Sequence, residues 1–337
     1  MAHARRDRPL VPSFSVKLNN HPMLPDMAMW VANVVVEDEI DLPGMFTLEL
    51  VSRQTERRTT SWTDESQFAL GAPVEVSLGY AEDRESLLVG QITALEPTFS
   101  TAGPPSLIVR GFDARHRLNG TRRTRTFVAK KDSGIAEQVG SDAGVEIVAT
   151  DSGVEHPYVL QAGQTDLEFL RERAHRIRYE LVMDDGAVRF RPVGNKKSSV
   201  VTLTLSDDLF EFRPRMSQVP LAGVQVLGWD MREKQAIVAT AGASDAGSPV
   251  ESFVRTSIES QPEADQVAAA VLDNAMFDFI KGDARARGRT DVRAGRVVKF
   301  EGLGSRFSGD YYVTSVAHRY SRRDGYLTDF QVQRAAS

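Results

Sequence analysis

The sequence has 337 residues, of which 41% are hydrophobic and 26% charged, with a net charge of −5 at pH 7. This length predicts two or three domains, and the acidic balance argues against a dedicated nucleic-acid binder. The absence of cysteine excludes disulfides, thiol nucleophiles and cysteine-ligated metal centres. No apolar stretch approaches ~18 residues, so no membrane insertion is expected. MAHARRDRPL also leads into Val11 without the apolar core of a signal peptide.

The first predicted region is β-rich and spans residues 13–112, after a flexible N-terminus at residues 1–12. Val74–Leu78 alternates apolar and polar residues as a half-buried strand does, and Met45–Leu50 follows the turn dipeptide Pro43-Gly44. Several short strands with few helical stretches predict a barrel or a sandwich.

A small α+β domain is predicted at residues 113–205. Ser133 is suited to cap a helix that ends at Gly144, and Thr165 with Glu168 has the spacing of a capping box. The turn dipeptide Asp185-Gly186 then lies between two short strands and predicts a hairpin.

The chain returns to β structure at residues 206–337, with an insertion at about 241–289. The insertion begins with the Gly/Ala/Ser-rich segment Ala241–Ser248 and contains one strong helix, in which Pro262 suits the first position. Residues 74–113 and 297–334 share a pattern of three strands, in which Gly90 and Gly309 lead the second strand. The residue identity is low, so the pattern alone leaves a duplication open.

No arrangement of residues predicts catalysis, so we expect neither an enzyme nor a cofactor. The six histidines lack the spacing of a zinc helix. Asp184-Asp185 and Asp207-Asp208 fall in predicted turns, where aspartate is favoured for backbone reasons. A glycosidase needs two carboxyls facing each other across a cleft, which sequence alone leaves open.

One basic cluster runs from Arg115 to Arg125. It is interpreted either as a solvated interdomain linker or as a contact with an acidic partner or cargo. The candidate contact residues in this run are Arg122, Arg123 and Arg125.

Several motifs, in order along nearly the whole chain, resemble the phage late control D proteins. They are Leu42-Pro43-Gly44-Met45-Phe46-Thr47-Leu48, Gly90-Gln91-Ile92-Thr93-Ala94-Leu95-Glu96-Pro97, Arg110-Gly111-Phe112-Asp113, Asp166-Leu167-Glu168-Phe169-Leu170 and Gly309-Asp310-Tyr311-Tyr312-Val313-Thr314. The resemblance implies the baseplate hub fold that is shared with the N-terminal part of the type VI spike protein VgrG. That fold is mainly β, with two tube-like β-barrel domains flanking a small α+β domain.

The resemblance also implies a structural role rather than an enzymatic one. Such hubs are homotrimers whose six barrels form a pseudo-sixfold ring between a hexameric tail tube and a central spike, and the ring lines the channel. The expected partners are the tail tube protein, a separate spike protein and other baseplate proteins, with no specific nucleic-acid binding. The chain would be made in the bacterial cytoplasm and join a phage tail, a tailocin or another contractile injection system; the sequence leaves these three open.

The segment from Glu37 to Met45 is the best candidate for an assembly contact. Leu42 and Met45 flank Pro43-Gly44 and offer apolar contacts that a monomer has little reason to expose. By resemblance we place Leu42, Pro43, Gly44 and Met45 at a subunit or tube contact. The alternative is an ordinary solvated hairpin.

Two other classes of function remain as alternatives. A tail-associated peptidoglycan hydrolase would bring a carboxylate or histidine pair into one cleft. A cell-wall-binding module would show a row of exposed aromatic residues, whereas Trp30, Trp62 and Trp229 are scattered along the chain.

Overall fold

The computed structural model describes residues 10–51, 68–100, 103–184, 186–194, 196–218, 222–231, 233–242, 250–254 and 258–336. The Arg- and Thr-rich stretch at 53–63, Trp62, Asp185, most of the 241–248 segment and the first nine residues of the predicted flexible N-terminus lie outside these ranges.

Strands make up most of the described chain. They are β1 (Pro12–Leu18), β2 (His21–Pro22), β3 (Val31–Glu39), β4 (Met45–Val51), β5 (Pro73–Tyr80), β6 (Asp83–Thr98), β7 (Ser106–Asp113), β8 (Arg123–Lys131), β9 (Ile147–Ala149), β10 (Glu155–Gln164), β11 (Tyr179–Asp184), β12 (Ala187–Pro192), β13 (Val201–Thr204), β14 (Leu209–Met216), β15 (Gly223–Asp230), β16 (Gln235–Gly242), β17 (Val250–Val254), β18 (Ile280–Arg287), β19 (Val297–Glu301), β20 (Gly309–Ser321) and β21 (Gly325–Arg334).

Helices are short, and most lie outside the β regions. They are α1 (Pro25–Ala28), α2 (Asp132–Ala143), α3 (Asp166–Arg176), α4 (Gln261–Phe277), α5 (Gly304–Phe307) and a 3₁₀ helix at Ala114–Asn119. The capping box predicted at Thr165 and Glu168 is confirmed at the start of α3. The predicted cap at Ser133 is wrong: α2 begins at Asp132, and Ser133 lies inside it, where its hydroxyl accepts a bond from the Ser152 backbone N–H.

Thirteen strands form one continuous sheet. Its order is β14-β18-β21-β20-β3-β4-β7-β6-β5-β1-β2, and β19 with β13 branches from β20. We call β1 and β3–β7 the first half-sheet, and β13, β14 and β18–β21 the second half-sheet. They meet where β3 pairs antiparallel with β20, a contact that we call the β3–β20 seam.

The two half-sheets have the same strand order. When the six strands of each are numbered along the chain, both sheets read 1-4-5-6-3-2. The internal similarity seen in the sequence corresponds to β5-β6-β7 and β19-β20-β21, each an antiparallel meander. One pairing differs, because β1 is antiparallel to β5 whereas β13 is parallel to β19.

Local irregularities repeat as well. β6 has a bulge between Ile92 and Ala94, and β20 has one between Val313 and Ser315. Gly71 and Gly295 have φ of 82° and 80° and donate equivalent N–H bonds to the carbonyls of Ile92 and Val313. Because bulges and positive φ angles are specific backbone features, their coincidence identifies equivalent positions.

Two smaller modules join these half-sheets. Helices α2 and α3 with strands β8–β12 pack around their own hydrophobic cluster, which includes Phe127, Phe169 and Phe190. Strands β15–β17 and helix α4 form a second module around Val226 and Val267, inserted between β14 and β18.

The mainly β class with an α+β insertion is confirmed. No closed barrel is found among the described strands, and the two half-sheets share one sheet instead of closing separately. Strand β1 of the first half-sheet packs against β20 of the second, where the rings of Phe14 and Tyr320 lie 5.0 Å apart. The domain limits 13–112, 113–205 and 206–337 stay a prediction.

Candidate assembly interface

The turn at residues 40–44 between β3 and β4 connects the first half-sheet to the rest of the molecule. The Ile40 N–H donates to the Thr314 carbonyl of β20 at 3.0 Å, and the Asp41 N–H donates to the Leu181 carbonyl of β11 at 2.9 Å. The Leu181 N–H in turn donates to the Asp41 carboxylate at 2.7 Å. The turn is therefore fixed by contacts with both the second half-sheet and the α+β module.

His175 completes this junction from helix α3. Its Nε2 lies 2.7 Å from the second carboxylate oxygen of Asp41, which is buried. The hydrogen bond to Asp41 raises the pKa of His175 above its ordinary value. The carboxylate thus stabilises the protonated imidazole relative to a free histidine, and the bond links α3 to the turn.

A buried arginine lies beneath the same turn. Arg115, only 1% exposed, bonds to Asp38 at 2.5 Å and to Asp113 at 2.7 Å. Its guanidinium also donates to the Glu39 carbonyl at 3.1 Å, while the Gly44 N–H donates to Asp113 at 2.9 Å. Burial alone would lower the pKa of Arg115, but the charges of Asp38 and Asp113 outweigh burial and raise it.

The acidic residues near the turn are therefore only partly exposed to solvent. Asp38 and Asp41 are committed to Arg115 and His175, while Glu37 and Glu39 keep access to solvent. Nothing in the sequence distinguishes Arg115 as a buried residue, since it stands first in a basic run. Its partners come from β3, about eighty residues earlier, and from Asp113.

The candidate contact residues of the turn line a cleft of about 460 Å³. Its lining includes Leu42, Pro43, Met45 and Phe112 from the first half-sheet and Ser315–Ala317 from β20, together with the acidic residues Glu37, Asp38, Glu39, Asp283 and Asp329. Leu42 and Met45 are half-buried, whereas Gly44 is buried beside Asp113. Apolar atoms thus lie in a recess at the seam between the half-sheets.

The three candidate arginines of the basic run, Arg122, Arg123 and Arg125, bind within the α+β module. Arg125 bonds to Asp166 at 2.6 Å and to Asp142 at 2.7 Å, and Arg123 lies 3.7 Å from Asp166. Arg122 bonds to Glu168 at 2.9 Å, but its side chain remains 62% exposed. Of these three arginines, Arg122 retains the most surface for a partner.

Asp184 and Asp208, one carboxylate from each candidate pair, have structural contacts. Asp184, the last residue of β11, binds Arg191 at 3.0 Å and Arg296 at 3.3 Å. Asp208 accepts the Thr204 N–H at 2.8 Å, as expected for a turn-capping carboxylate, and lies 3.4 Å from Arg289. Both carboxylates therefore stabilise connections between segments.

Glu180 forms a second buried link, between the α+β module and the second half-sheet. It accepts hydrogen bonds from Tyr312 of β20 and from Arg191 of β12. Burial raises the pKa of Glu180 to about 6, despite the opposing effect of both donors. The α+β module is thus anchored to the first half-sheet through Asp41 and to the second through Glu180.

The other histidine and tryptophan side chains considered as site residues lie apart from one another. His318 is buried, and burial lowers its pKa to about 3, so the ring is neutral and packs as a core residue. Trp229 is 48% exposed on the inserted module, far along the chain from the half-buried Trp30. Within the described ranges, no three His, Asp or Glu side chains converge as metal ligands would. No helix in the same ranges combines the length and apolarity needed to span a bilayer.

Comparison with known proteins identifies both a family and a fold. The family model described as the Alg8 N-terminal domain matches residues 10–322. None of the curated proteins matches the sequence.

Solved structures with this fold include several tail proteins. The 43 kDa tail protein of prophage MuSo2 from Shewanella oneidensis is 15% identical, with a TM-score of 0.75 over 96% of this chain and 98% of that one. A tail protein from Neisseria meningitidis MC58 is 12% identical, with a TM-score of 0.72 over 96% and 97%. The E. coli c3393 protein, a type VI secretion component, is 12% identical, with a TM-score of 0.62 over 91% and 74%. The mainly β fold that the resemblance implies is thereby confirmed as one that this chain shares with tail proteins.

Proposed function

This chain belongs to the Alg8 N-terminal domain family, and we propose that it is the structural hub of a phage tail or contractile injection particle. Three copies form a pseudo-sixfold ring that joins a hexameric tail tube to a separate spike. The ring lines the channel, and the chain works as a part of the particle rather than as an enzyme.

The observation that carries this proposal is the duplicated half-sheet. One chain holds two sets of six strands in the same order, with bulges at equivalent places. Three chains therefore supply six similar units, the number that a sixfold tube requires. A symmetry mismatch between a trimeric spike and a hexameric tube is resolved by a chain of this construction.

The surroundings of the paired carboxylates and of the Asp41–His175 pair support the same interpretation. Asp184 and Asp208 are bound to arginines, and Asp41 and His175 are bound to each other. Each contact joins separate segments of the chain. A hydrolase would instead keep a carboxylate pair facing an open cleft.

Leu42, Pro43, Gly44 and Met45 are the proposed contact with the tube or a neighbouring subunit. The recess that Leu42, Pro43 and Met45 line is suited to an apolar side chain of a partner, and the carboxylates of Glu37 and Glu39 lie at its edge. The exposed head group of Arg122 is proposed as a second, polar contact with an acidic surface.

The test is to measure the mass of the purified chain by light scattering, alone and after mixing with the tube and spike proteins of its own particle. We expect three copies in the complex. A chain that stays monomeric with both partners present contradicts the proposal.

The variant Leu42→Asp with Met45→Asp tests the contact itself. It places charges in a surface that must lose water, so complex formation should fall while the melting temperature of the isolated chain changes little. Exposed Arg323, 94% solvent-accessible in the β20–β21 turn, provides the control substitution Arg323→Asp. Normal assembly of the double variant would remove this turn from the interface.

A further inference from the structure

Among the strand edges that lack a strand partner within the described residues, two belong to equivalent halves of the molecule, the edge of β14 and the end of β6. β14 pairs along its length with β18, and beyond that it has only an isolated bridge from Leu209 to Leu205 among the described residues. β6 pairs with β5 as far as Gln91, but it continues beside β7 to Thr98. Residues 94–98 of β6 therefore have a neighbouring strand on one side only.

The edge equivalent to each of these, in the other half-sheet, does have a strand partner. β20 pairs with β19 as far as Tyr312, and its continuation Ser315–Ser321 then pairs with β3. In the common strand order, β20 is equivalent to β6, and β3 is equivalent to β14. The β3–β20 seam is thus an observed example of how an edge like that of β14 joins an edge like that of β6.

The bulges fix which residues correspond. The bulge after Ile92 in β6 matches the bulge after Val313 in β20, and a threonine fills it in both strands. The bulge between Leu209 and Glu211 in β14 matches the one between Val31 and Asn33 in β3. Residues 94–98 therefore correspond to 315–319, and residues 211–216 correspond to 33–38.

Side-chain character follows this correspondence. At the β3–β20 seam, four side chains point into the core and are buried: Val34, Val36, Val316 and His318. Their equivalents on the free edges are all apolar and half-buried or exposed: Phe212, Pro214, Leu95 and Pro97. A partner strand would cover these four positions, as it does within the chain.

The charges at the equivalent positions also fit this pairing. On the solvent face of the seam, Ala317 lies directly opposite Glu37. The equivalent residues on the free edges are Glu96 and Arg215, which carry opposite charges and are both exposed. Glu96 also contacts Arg110 at 3.0 Å within its own chain, with half of its side chain still open to solvent. Opposite charges across paired strands stabilise that register.

We propose that β14 of one copy of this chain pairs antiparallel with residues 94–98 of β6 in a second copy, in the register that places Glu96 opposite Arg215. This inference rests on the proposed function, because it names the contact that closes three copies into the ring. The contact is head-to-tail, so it repeats around the ring and leaves neither edge unpaired.

Two prolines make this contact weaker than the seam. Pro97 and Pro214 are equivalent to His318 and Val36, which are opposite each other, so the proposed register brings the prolines together. Neither proline has an N–H, and the pair adds no hydrogen bond. Prolines on edge strands also prevent uncontrolled pairing. The copies therefore associate reversibly, whereas the seam within each chain is permanent.

A disulfide provides the direct test, because the chain has no cysteine of its own. The double variant Glu96→Cys with Arg215→Cys should form a disulfide between copies under mild oxidation, since directly opposite residues lie about 4.5–5.5 Å apart in paired strands. We expect linked dimers and trimers on a non-reducing gel, with no larger products. The double variant Glu96→Cys with Arg323→Cys is the matched control and should give no such ladder.

Charge exchange provides a second measurement that needs no oxidation. Glu96→Arg and Arg215→Glu should each weaken association of the copies by roughly fivefold, and the two together should restore it. Melting curves of each variant show whether the fold itself is intact.

The outcomes separate the two proposals. Suppose that three-copy complexes form, that the cysteine variant gives no disulfide, and that the charge-exchanged double variant does not regain association. This result overturns the strand pairing but not the hub role. Absence of three-copy complexes with tube and spike overturns the hub role, whereas a specific disulfide in such a sample would still support the paired edges. Absence of the disulfide across a concentration series of the chain, alone and with its partners, overturns the pairing.

Discussion

The two half-sheets share a strand order but differ in what connects their second and third strands. In the first half-sheet, residues 40–44 form a tight turn between β3 and β4. In the second, residues 217–279 lie between β14 and β18 and include the module of β15–β17 and α4. The common strand order therefore accommodates either a short turn or an added module at this position. The order is determined by which strands pair, and the connection between two strands can vary.

The two connections are stabilised by different physics. The short turn depends on the buried charges of Arg115, Asp38 and Asp113 and on the bonds of Asp41. The long connection has a hydrophobic cluster of its own, which includes Val226 and Val267. A short segment has too few side chains for a core, so polar contacts to its neighbours must hold it.

The largest expected effect is at Arg115. Arg115→Met leaves Asp38 and Asp113 as uncompensated buried carboxylates, so the free energy of unfolding should fall by about 3–5 kcal/mol. Chemical denaturation at pH 7 measures this loss.

The control for Arg115 lies at the end of β21 in the second half-sheet. The Arg334 guanidinium donates to the carbonyls of Ser308 and Arg306, so Arg334→Met leaves no buried carboxylate behind. Its cost should be about 1–3 kcal/mol and smaller than that of Arg115→Met. Equal losses at the two positions would show that the buried charge cluster does not distinguish the half-sheets.

The next effect compares the two equivalent glycines. Both Gly71→Ala and Gly295→Ala place a side chain at positive φ, which costs about 1–2 kcal/mol. A Cβ at Gly71 has no neighbour within 4 Å, whereas one at Gly295 would lie 2.9 Å from Val182 and 3.0 Å from Arg191. We therefore expect Gly295→Ala to cost about 1–3 kcal/mol more than Gly71→Ala.

Thermal melting of both glycine variants checks this difference. Val182 and Arg191 belong to the α+β module, so the extra cost reports how firmly that module covers the second half-sheet. Similar melting temperatures would mean that the module yields easily at this contact.

The smallest expected change in stability concerns the edge proline of β14. Pro214→Val restores the residue type that stands at the equivalent Val36 and supplies an N–H on the free edge. The melting temperature should change little, while self-association should increase because the edge can now donate a hydrogen bond. Analytical ultracentrifugation over a concentration series measures this. An unchanged monomer fraction would show that Pro214 does not limit self-association.

Local patterns predicted much of the fold. The capping box at Thr165 and the helix end at Gly144 depend on neighbouring residues only, and both are confirmed. Pro262 lies in the first turn of α4, but at its second residue rather than at the predicted first position. The three-strand repeat also emerged from local alternation, although the sequence did not show that six strands repeat. Strand order depends on pairings between distant segments, which alternation does not encode.

The candidate site was harder to predict, because its partners are far apart in the sequence. Asp38 and Asp41 stand in an acidic run, yet they bind Arg115 and His175 from later segments. Arg125 stands in a basic run, yet it binds Asp142 and Asp166 in its own module. Charge runs therefore gave the composition of the surface correctly, but not which charges remain available to partners.

The β3–β20 seam also changes the entropy of building a ring. Six separate units would lose translational and rotational freedom at each joining step, and each such loss costs roughly 4–15 kcal/mol. In this chain the seam already holds the two half-sheets together through seven facing residue pairs. Within each chain the effective concentration of one half-sheet near the other is set by the fold itself and does not depend on dilution. A ring made of such chains would thus tolerate weak contacts between copies, and edges carrying Pro97 and Pro214 would suffice to close it.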